Sequence, residues 1–396
     1  MQRNLSKKKL ALMLIALFLS TCCTMGDMAV VPIFANWFEV FPNAALVNFM
    51  ISGPGLVGLL FCFIGGRLAD KMNKKTLLVI GFAIFAVSGI LGAAVVNDYY
   101  VAIMRCLCTG VAWGLTSTSA VGIIAEYYVD ETERGKIVGW YNAAMAAIGA
   151  ALSFVGGILG VNGWRVAFQT YWIAVPILAL LILFVPSCPA GAPQEKQNKV
   201  KGEKGWAQKL IPLLAGFFMT AMCYYVIVYM ISLFVTDTGI GNEAFSGTLS
   251  SVGTITSCLM GMAFGTVYAK LKKKTSIPSY ILLAVGFLLM FIFPSKTIAI
   301  IACAIMGLAW GNVYSYYYTE CTVVVPENMQ GTSLGIVGVV NGLASFLVTY
   351  FVSLLKSAFQ TENMRDVFPA FVIILAIVAA GAIIYKVKEA KQTTHA

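Results

Sequence analysis

The stretch that decides the fold reads GGRLADKMNKKT and covers residues 65–76. Two glycines close a long apolar segment, and an arginine, an aspartate and three lysines follow before another apolar segment begins at Leu77. In a membrane, glycines let a neighbouring helix approach closely, and cations favour the cytoplasmic face of the bilayer. The stretch is therefore predicted to form a short charged turn between two membrane helices.

The composition of the whole chain indicates a lipid environment. Of its 396 residues 59% are hydrophobic and 11% are charged, whereas about 25% of the residues of soluble domains are charged. A soluble core could not hide this much apolar surface, so the lipid bilayer is the expected solvent. The net charge of +10 does not indicate a nucleic-acid partner, because the cations lie between the apolar segments.

Twelve apolar segments of roughly 20–25 residues suit a hydrocarbon core of about 30 Å. Six are predicted at about 10–35, 44–69, 76–96, 101–125, 136–160 and 168–186, and six more at about 210–236, 245–269, 277–294, 297–319, 331–355 and 366–386. The stretch between the two sets contains two prolines and five lysines and is too polar to span a membrane. We therefore predict an N-terminal six-helix half, residues 1–186, a cytoplasmic linker, residues 187–209, and a C-terminal six-helix half, residues 210–396.

The distribution of lysine and arginine predicts the orientation. If the N-terminus is cytoplasmic, 22 of the 27 cations lie in cytoplasmic loops and tails, four lie in outer loops, and Arg105 lies within a helix. Short cytoplasmic loops carry an excess of these residues. Both termini are therefore predicted to be cytoplasmic, in a multi-pass protein of the cytoplasmic membrane.

The two halves repeat each other. Residues 66–76 align with residues 265–275 at an offset of 199, and GVAWG at 110–114 aligns with GLAWG at 307–311 at an offset of 197. Six-helix repeats of this kind occur in secondary transporters, where the substrate binds between the halves near the midplane. The second copy has Ala269 where the first has Asp70, so the charged turn is predicted to be asymmetric.

The run at 65–76 resembles the signature loop between helices 2 and 3 of the major facilitator superfamily, G-x-L-A-D-[RK]-x-G-[RK]-[RK], with Asn73 in place of a glycine. RCLCTG at 105–110 resembles that family's R-x-x-x-x-G element of helix 4, which is associated with proton coupling. Gly26-Asp27-Met28 followed by Pro32 resembles helix 1 of the drug:proton antiporter-1 branch. The resemblance implies an all-α membrane protein with twelve transmembrane helices that works by alternating access.

One departure from that branch leaves the direction of transport open. Exporters of the branch carry G-x-x-x-G-P-x-x-G-G in helix 5, and here Gly156-Gly157 remains while Leu152-Ser153 replaces the Gly-Pro. The antiporter signature is therefore incomplete.

Two ionisable residues lie deep in the predicted membrane segments. Asp27 is roughly 27 Å above the inner boundary, and Arg105 is about 7–8 Å below the outer one, at 1.5 Å per residue. Ionisable residues inside a membrane are functional candidates by default. We predict that Asp27 and Arg105 face the central cavity and pair, and that Asp27 binds and releases protons as the cavity opens and closes. The alternative is a structural ion pair that orients helices 1 and 4.

A cytoplasmic gate is predicted where the charged turn meets the inner helix ends. Glu126 and Glu320 lie near the inner ends of helices 4 and 10. Glu126 is expected to pair with Arg67 or Arg134, and Glu320 or Glu327 to lie near the start of helix 11. The full predicted gate comprises Gly66, Arg67, Asp70, Lys71, Lys74, Glu126, Arg134 and Glu320. The alternative is that these residues are solvated helix ends.

Aromatic side chains cluster in helices that are predicted to line the substrate cavity. Trp113 and Trp310 occupy equivalent positions of the repeat near the midplane, where two indoles could form a platform for a ring or a cation. The alternative is ordinary helix packing. The predicted cavity residues are Trp113, Tyr224, Tyr225, Tyr229, Trp310 and Tyr314.

The sequence also limits the chemistry. It contains no G-x-x-x-x-G-K-[ST] run, so ATP is not expected to drive transport directly. No cofactor or metal is expected, because no C-x-x-C or Cys/His cluster occurs and the only histidine is His395. An enzyme would need a catalytic set in the interior, and a nutrient sensor would normally need a longer polar tail or loop.

We therefore predict a secondary active transporter that moves a small organic solute across the cytoplasmic membrane by alternating access. It is expected to be coupled to protons and to function as a monomer. The alternative is multidrug efflux of lipophilic or cationic compounds. The incomplete helix-5 motif favours uptake, whereas the antiporter branch and the aromatic residues favour efflux.

Overall fold

The structure, a computed structural model, describes residues 6–128, 131–188, 206–325 and 330–394. The chain forms two compact units, Met1–Gln197 and Asn198–Ala396. The boundary between them falls inside the predicted linker, of which residues 189–205 lie outside the described part.

The described part of the N-terminal unit contains the first six predicted segments. The first, α1, covers residues 7–40 and is divided into short helical pieces. The others are single helices or have local changes of helix type. Their bounds are α2 Ala44–Lys71, α3 Lys74–Leu91, α4 Asp98–Tyr127, α5 Glu131–Gly160 and α6 Trp164–Phe184.

The C-terminal unit contains the other six. Their bounds are α7 Trp206–Thr238, α8 Glu243–Leu271, α9 Ser276–Ile292, α10 Lys296–Val323, α11 Gln330–Ala358 and α12 at residues 364–394, which begins with a 3₁₀ turn. Within the described residues, ten helices are long and apolar enough to cross a membrane. The remaining two segments are α9, which is a shorter apolar helix, and α1, which is interrupted.

Side-chain caps explain where several helices begin. An asparagine precedes α2, α3, α4 and α8, and its side chain accepts a hydrogen bond from a backbone N–H of the first turn. Ser295 has the same role before α10. Such caps satisfy donors that the helix itself leaves unpaired. The capping residues are Asn43, Asn73, Asn97, Asn242 and Ser295.

Glycines set the close packing of α4 on α2 and of α10 on α8. A Cβ on Gly110 or Gly114 would meet the α2 backbone, and one on Gly307 or Gly311 would meet the α8 backbone. This is the close helix contact that the repeated G-x-x-x-G pattern predicts. In the charged turn, however, only one glycine of the pair packs in this way. A Cβ on Gly65 would meet α4 within 3 Å, whereas a Cβ on Gly66 would meet nothing within 4 Å.

The internal repeat is also visible in a pair of arginines. Arg165 Nε donates to the carbonyl of Ala93, just after α3, at 2.9 Å, and Arg365 Nε donates to the carbonyl of Phe291, in the last turn of α9, at 2.6 Å. A cation at a helix C-terminus satisfies free carbonyls and interacts favourably with the helix dipole. The third helix of each unit is therefore capped by the same kind of side chain.

Candidate transport site

The first side chain of the site lies at a break in α1. Residues Gly26–Ala29 and Val31–Ile33 are 3₁₀ turns, and Pro32 lies within the second. Proline lacks the N–H that an α-helix needs, so the helix cannot continue regularly here. The Tyr171 hydroxyl donates to the Gly26 carbonyl at 2.9 Å. The break places Asp27 on a turn whose backbone is held from α6.

The second side chain lies at a change of helix type in α4. Arg105 ends a regular segment, and Cys106–Val111 form a π-helical turn immediately after it. The Thr109 hydroxyl donates to the Arg105 carbonyl at 3.0 Å. Single π turns are rare and occur frequently at functional sites. Asp27 and Arg105 therefore both lie where a membrane helix departs from the α form.

The structure pairs these two residues. Arg105 Nη2 and Asp27 Oδ1 form an ion pair, in which the arginine side chain is 1% exposed and the aspartate side chain 17% exposed. Arg105 Nε also donates to the Met50 carbonyl at 3.1 Å. That carbonyl is available because its α-helical partner would be the N–H of residue 54, which is Pro54. Arg105 is thus bound to α2 independently of Asp27.

Two aromatic rings complete the environment of Arg105. Its guanidinium carbon lies 5.4 Å from the ring centroid of Phe34 and 5.5 Å from that of Trp37. A cation over such ring faces is stabilised by the ring quadrupole. Both rings come from the segment just after the α1 break and were not predicted as site residues. The signal was their position three residues apart, close after Pro32, which puts both on one face of the short helix Phe34–Val40.

In the predicted gate of the N-terminal unit, Glu126 has a partner beyond the two that were expected, Arg67 and Arg134, and a contact with Arg134 stays a prediction. Glu126 Oε1 pairs with Lys74 Nζ, on the first turn of α3. Arg67 was a predicted partner of Glu126, but it is exposed and forms no hydrogen bond or ion pair within the described residues. Lys71 is also exposed. Lys74 reaches Glu126 because it stands at the start of α3, which packs against α4. The Asp70 side chain and Glu327 lie outside the described part.

Asn73, which stands where the resembled motif has glycine, binds the chain that follows α6. Its Oδ1 accepts from the backbone N–H of Lys75 at 3.0 Å and of Cys188 at 3.1 Å, and its Nδ2 donates to Ser187 Oγ. The Lys74 N–H donates to the Cys188 carbonyl at 2.8 Å. The charged turn is therefore tied to the residues that lead into the predicted linker. Arg134 of the predicted gate is partly buried in α5.

Glu320, at the end of α10, has a partner that was not predicted. Its Oε1 accepts a hydrogen bond from the Tyr268 hydroxyl of α8 at 2.7 Å. The carbonyl of the next residue, Cys321, accepts from Ser333 Oγ in the first turn of α11 at 2.6 Å. Glu320 is 3% exposed. Tyr268 was not predicted as a site residue, and nothing in its local sequence distinguishes it from other tyrosines at a helix end.

Five of the six predicted cavity residues form one aromatic cluster in the C-terminal unit. The rings of Tyr224 and Trp310 are stacked, with centroids 4.4 Å apart, and Trp310 also contacts Tyr225 and Tyr314. Tyr229 stacks on Tyr225 with centroids 5.8 Å apart. Trp113 belongs to the N-terminal unit, where its ring lies against Gly58 of α2.

Polar side chains of α11 that were not predicted bond to this cluster. Asn341 Nδ2 donates to the Tyr225 hydroxyl at 2.9 Å, and Ser345 Oγ and the Tyr229 hydroxyl lie 3.0 Å apart. The spacing of four residues on both α7 and α11 puts the two bonds one above the other. The cluster thus combines stacked rings with neutral hydrogen-bonding groups. Its contacts within the described residues fit both a binding surface and helix packing.

A family model and several known proteins resemble this chain. The family model of the Major Facilitator Superfamily matches residues 16–349. The Methylenomycin A resistance protein of Bacillus subtilis is 31% identical over 138 residues, which is 35% of this chain and 29% of that protein. The Glucose transporter GlcP of Staphylococcus epidermidis is 23% identical over 363 residues, 79% of each chain. The chain thus spans under a third of the first of these relatives.

Solved structures share the fold. A bacterial homologue of the human lysosomal transporter Spinster superposes with a TM-score of 0.80 at 16% identity, over 96% of this chain and 97% of that one. At this identity the likeness concerns the fold alone. The family match itself covers well over half of the chain. The chain therefore belongs to the Major Facilitator Superfamily, with the twelve-helix fold of that family, and it is a multi-pass membrane protein.

Proposed function

We propose that this transporter is coupled to protons and moves a small organic solute across the cytoplasmic membrane by alternating access, with both termini in the cytoplasm. The observation that carries the proposal is the Asp27–Arg105 ion pair, formed where α1 and α4 both depart from the α form. The lysine and arginine distribution supports the orientation. The protein is proposed to act as a monomer.

The two members of the pair differ in how they are held, and this supports a role for Asp27 as the proton carrier. Arg105 keeps the Met50 carbonyl and two aromatic rings whatever the state of Asp27. Asp27 is the more exposed member. Protonation of Asp27 would remove the attraction between the two side chains and leave Arg105 in place. The event that follows is a change in α1, whose backbone is already broken beside Asp27.

The test is transport by the purified protein in proteoliposomes. The solute is first identified by thermal shift with a panel of glucose, amino acids, small acids and tetraphenylphosphonium, because a ligand that binds the folded state raises the unfolding midpoint. Asp27→Asn is expected to lose accumulation driven by a proton gradient and to keep exchange of the same solute between equal compartments. Asp237→Asn, which changes an aspartate 3.6 Å from Lys356, is the matched control and should keep both activities. Gradient-driven accumulation by Asp27→Asn at the wild-type rate would refute the proposal.

A second candidate function is efflux of lipophilic or cationic compounds. It is favoured by the stacked Tyr224 and Trp310 rings, which suit a flat or cationic ligand, and by the resistance protein among the relatives. The same panel separates the two functions. Stabilisation by tetraphenylphosphonium that is lost in Trp310→Ala would favour efflux, whereas stabilisation by a polar solute alone would favour uptake.

A further inference from the structure

The turn between α8 and α9 is strongly cationic. Residues 270–274 include four lysines, and the side chains of Lys270, Lys272 and Lys274 are exposed. The Lys273 side chain lies outside the described part. The sequence contains no acidic residue from 244 to 319, a stretch that covers nearly all of α8, the turn, α9 and most of α10. The positive charge of the turn is therefore not balanced by any acidic residue of the turn itself or of α9.

The turn does not use its lysine side chains to hold its shape. The Lys272 N–H donates to the Tyr268 carbonyl, and the backbone N–H and the hydroxyl of Thr275 both donate to the Lys272 carbonyl. Lys272 has φ 45°, a conformation that is strained for a lysine and favours glycine. Strained backbone of this kind clusters at functional positions. The lysine at 272 therefore costs stability and contributes a charge that the turn itself does not need.

The equivalent turn of the N-terminal unit uses its lysines for contacts within that unit. Lys74 pairs with Glu126, and Lys75 Nζ donates to the Ile182 carbonyl at 2.7 Å. Both lysines are partly buried, whereas the three described lysines of the C-terminal turn are exposed. The cations of the C-terminal turn are thus accessible to a partner outside the chain.

An exposed apolar face of α9 begins two helical turns after these lysines. Its members are Ile281, Val285, Leu288 and Ile292. Their spacing of four, three and four residues puts them on one face of the helix, one above another. Ile281 follows Lys274 by seven residues, which is about 10 Å along a helix. The surface therefore has cations at one end and an apolar stripe that leads from them into the predicted bilayer.

A ligand that matches both parts has an anionic headgroup and an acyl chain. We propose that this surface binds an anionic phospholipid, with its phosphate at Lys270, Lys272 and Lys274 and an acyl chain along the exposed face of α9. Lysines close to a membrane surface attract anionic lipid. The stripe selects a lipid over a soluble phosphate, because only the lipid removes apolar surface from water there. The orientation proposed above would place this lipid in the cytoplasmic leaflet, and the site does not depend on Asp27 or on the transported solute.

The experiment is native mass spectrometry of the full-length, delipidated protein in detergent, titrated with phosphatidylglycerol or with phosphatidylcholine of the same acyl chains. The wild type should bind phosphatidylglycerol more tightly. The triple variant Lys270→Gln, Lys272→Gln, Lys274→Gln should bind it about a hundredfold more weakly, at about fivefold for each lysine, and should bind phosphatidylcholine as before. The matched control removes three exposed lysines of the N-terminal unit and should keep the wild-type preference: Lys8→Gln, Lys9→Gln, Lys136→Gln.

Equal affinity of the wild type for the two lipids would overturn the proposal. An equal loss in both triple variants would also overturn it, because it would show only the general attraction of cations for anionic lipid. Glycerol 3-phosphate at the same concentration should not displace phosphatidylglycerol. Displacement would assign the lysines to a soluble phosphate and overturn the role of the apolar stripe.

Lys272→Gly provides a second, independent measurement. It should weaken phosphatidylglycerol binding about fivefold, because one cation is lost. Its unfolding midpoint in detergent should rise, because the strain at φ 45° is relieved. A variant that keeps the wild-type affinity for phosphatidylglycerol would show that the strained lysine does not serve the lipid, and would overturn the proposal.

Discussion

The two units of this protein share their packing and differ in what they bury. The N-terminal unit buries a full ion pair between α1 and α4, and the cation lies against two rings and a free carbonyl. At the offset of 197, the C-terminal unit has the buried Ala302 where the N-terminal unit has Arg105. In place of charge it has stacked rings joined by a tyrosine–asparagine and a tyrosine–serine contact.

The features that the two units share belong to the packing of the helices, and the features that differ belong to the candidate site. Both units keep the glycines that let the fourth helix pack on the second and the arginine that caps the third helix. These features depend on the distances between helix backbones, and those distances are alike in the two units because the units share one fold. The polar interior follows no such constraint, so the position of Arg105 carries a charge in one unit and the equivalent position carries an alanine in the other. The N-terminal unit is therefore the place to look for an effect of charge, and the C-terminal unit for an effect of rings and neutral donors.

The largest expected effect comes from removing the buried cation. Arg105→Ala would leave Asp27 largely buried without a partner, and this should lower the free energy of unfolding by about 3 kcal/mol, the lower end for breaking a buried pair, because Asp27 keeps some exposure. Thermal unfolding in detergent measures the change. The exposed Arg165→Ala loses hydrogen bonds to two carbonyls and should cost about 1 kcal/mol.

A double variant sharpens this test. Asp27→Asn combined with Arg105→Ala removes the uncompensated charge, so it should be more stable than Arg105→Ala alone. The idea would be contradicted if Arg105→Ala and Arg165→Ala lowered the free energy of unfolding equally. It would also be contradicted if the double variant were no more stable than Arg105→Ala. Either result would mean that loss of the charge partner of Asp27 does not itself destabilise the protein.

Substitution of the glycines that pack the helices closely should lower the free energy of unfolding in both units, by less than the loss of Arg105 does. Gly114→Ala would bring a Cβ to 2.5 Å from the Phe61 carbonyl carbon of α2, and Gly311→Ala would bring one against the Ser257 carbonyl of α8. Each should lower stability by about 1–3 kcal/mol, as overpacking does. Gly66→Ala and Gly335→Ala meet nothing within 4 Å and are the matched controls. A large cost in only one unit would show that the two scaffolds are not equivalent.

The smallest change in the free energy of unfolding is expected at two equivalent positions of the charged turns. One substitution should lower the stability and the other should raise it. Asn73→Gly loses three hydrogen bonds and should lower the free energy of unfolding by about 1 kcal/mol. Lys272, at the offset of 199, has φ 45° and ψ −128°, a conformation that favours glycine. Lys272→Gly should therefore raise stability by about 1 kcal/mol. Unfolding midpoints of the two variants against the wild type test this, and the same sign for both would contradict it.

Much of the site could be predicted from single residues because the membrane makes certain residue types conspicuous. Asp27 and Arg105 stand out since few ionisable residues lie in the apolar segments. The contact of Glu126 with Lys74 was not predicted, because the sequence places several cations near the cytoplasmic ends of these helices, Arg67 and Arg134 among them, and only the packing of α3 on α4 places Lys74 beside Glu126. Phe34, Trp37, Tyr268 and Asn341 were missed because neutral residues in an apolar helix carry no signal until their neighbours are known.

The sequence by itself determined that this chain lies in lipid, that it crosses the membrane with twelve segments, and that it repeats itself once. These properties depend on composition, segment length and periodic spacing, which are local. The tertiary structure alone decided that Pro54 frees a carbonyl for Arg105, that Asn73 binds the chain after α6, and that Glu320 has a phenol as its partner. These contacts join residues that are more than fifty positions apart, so they depend on which helix faces turn toward each other and not on any one stretch of the chain.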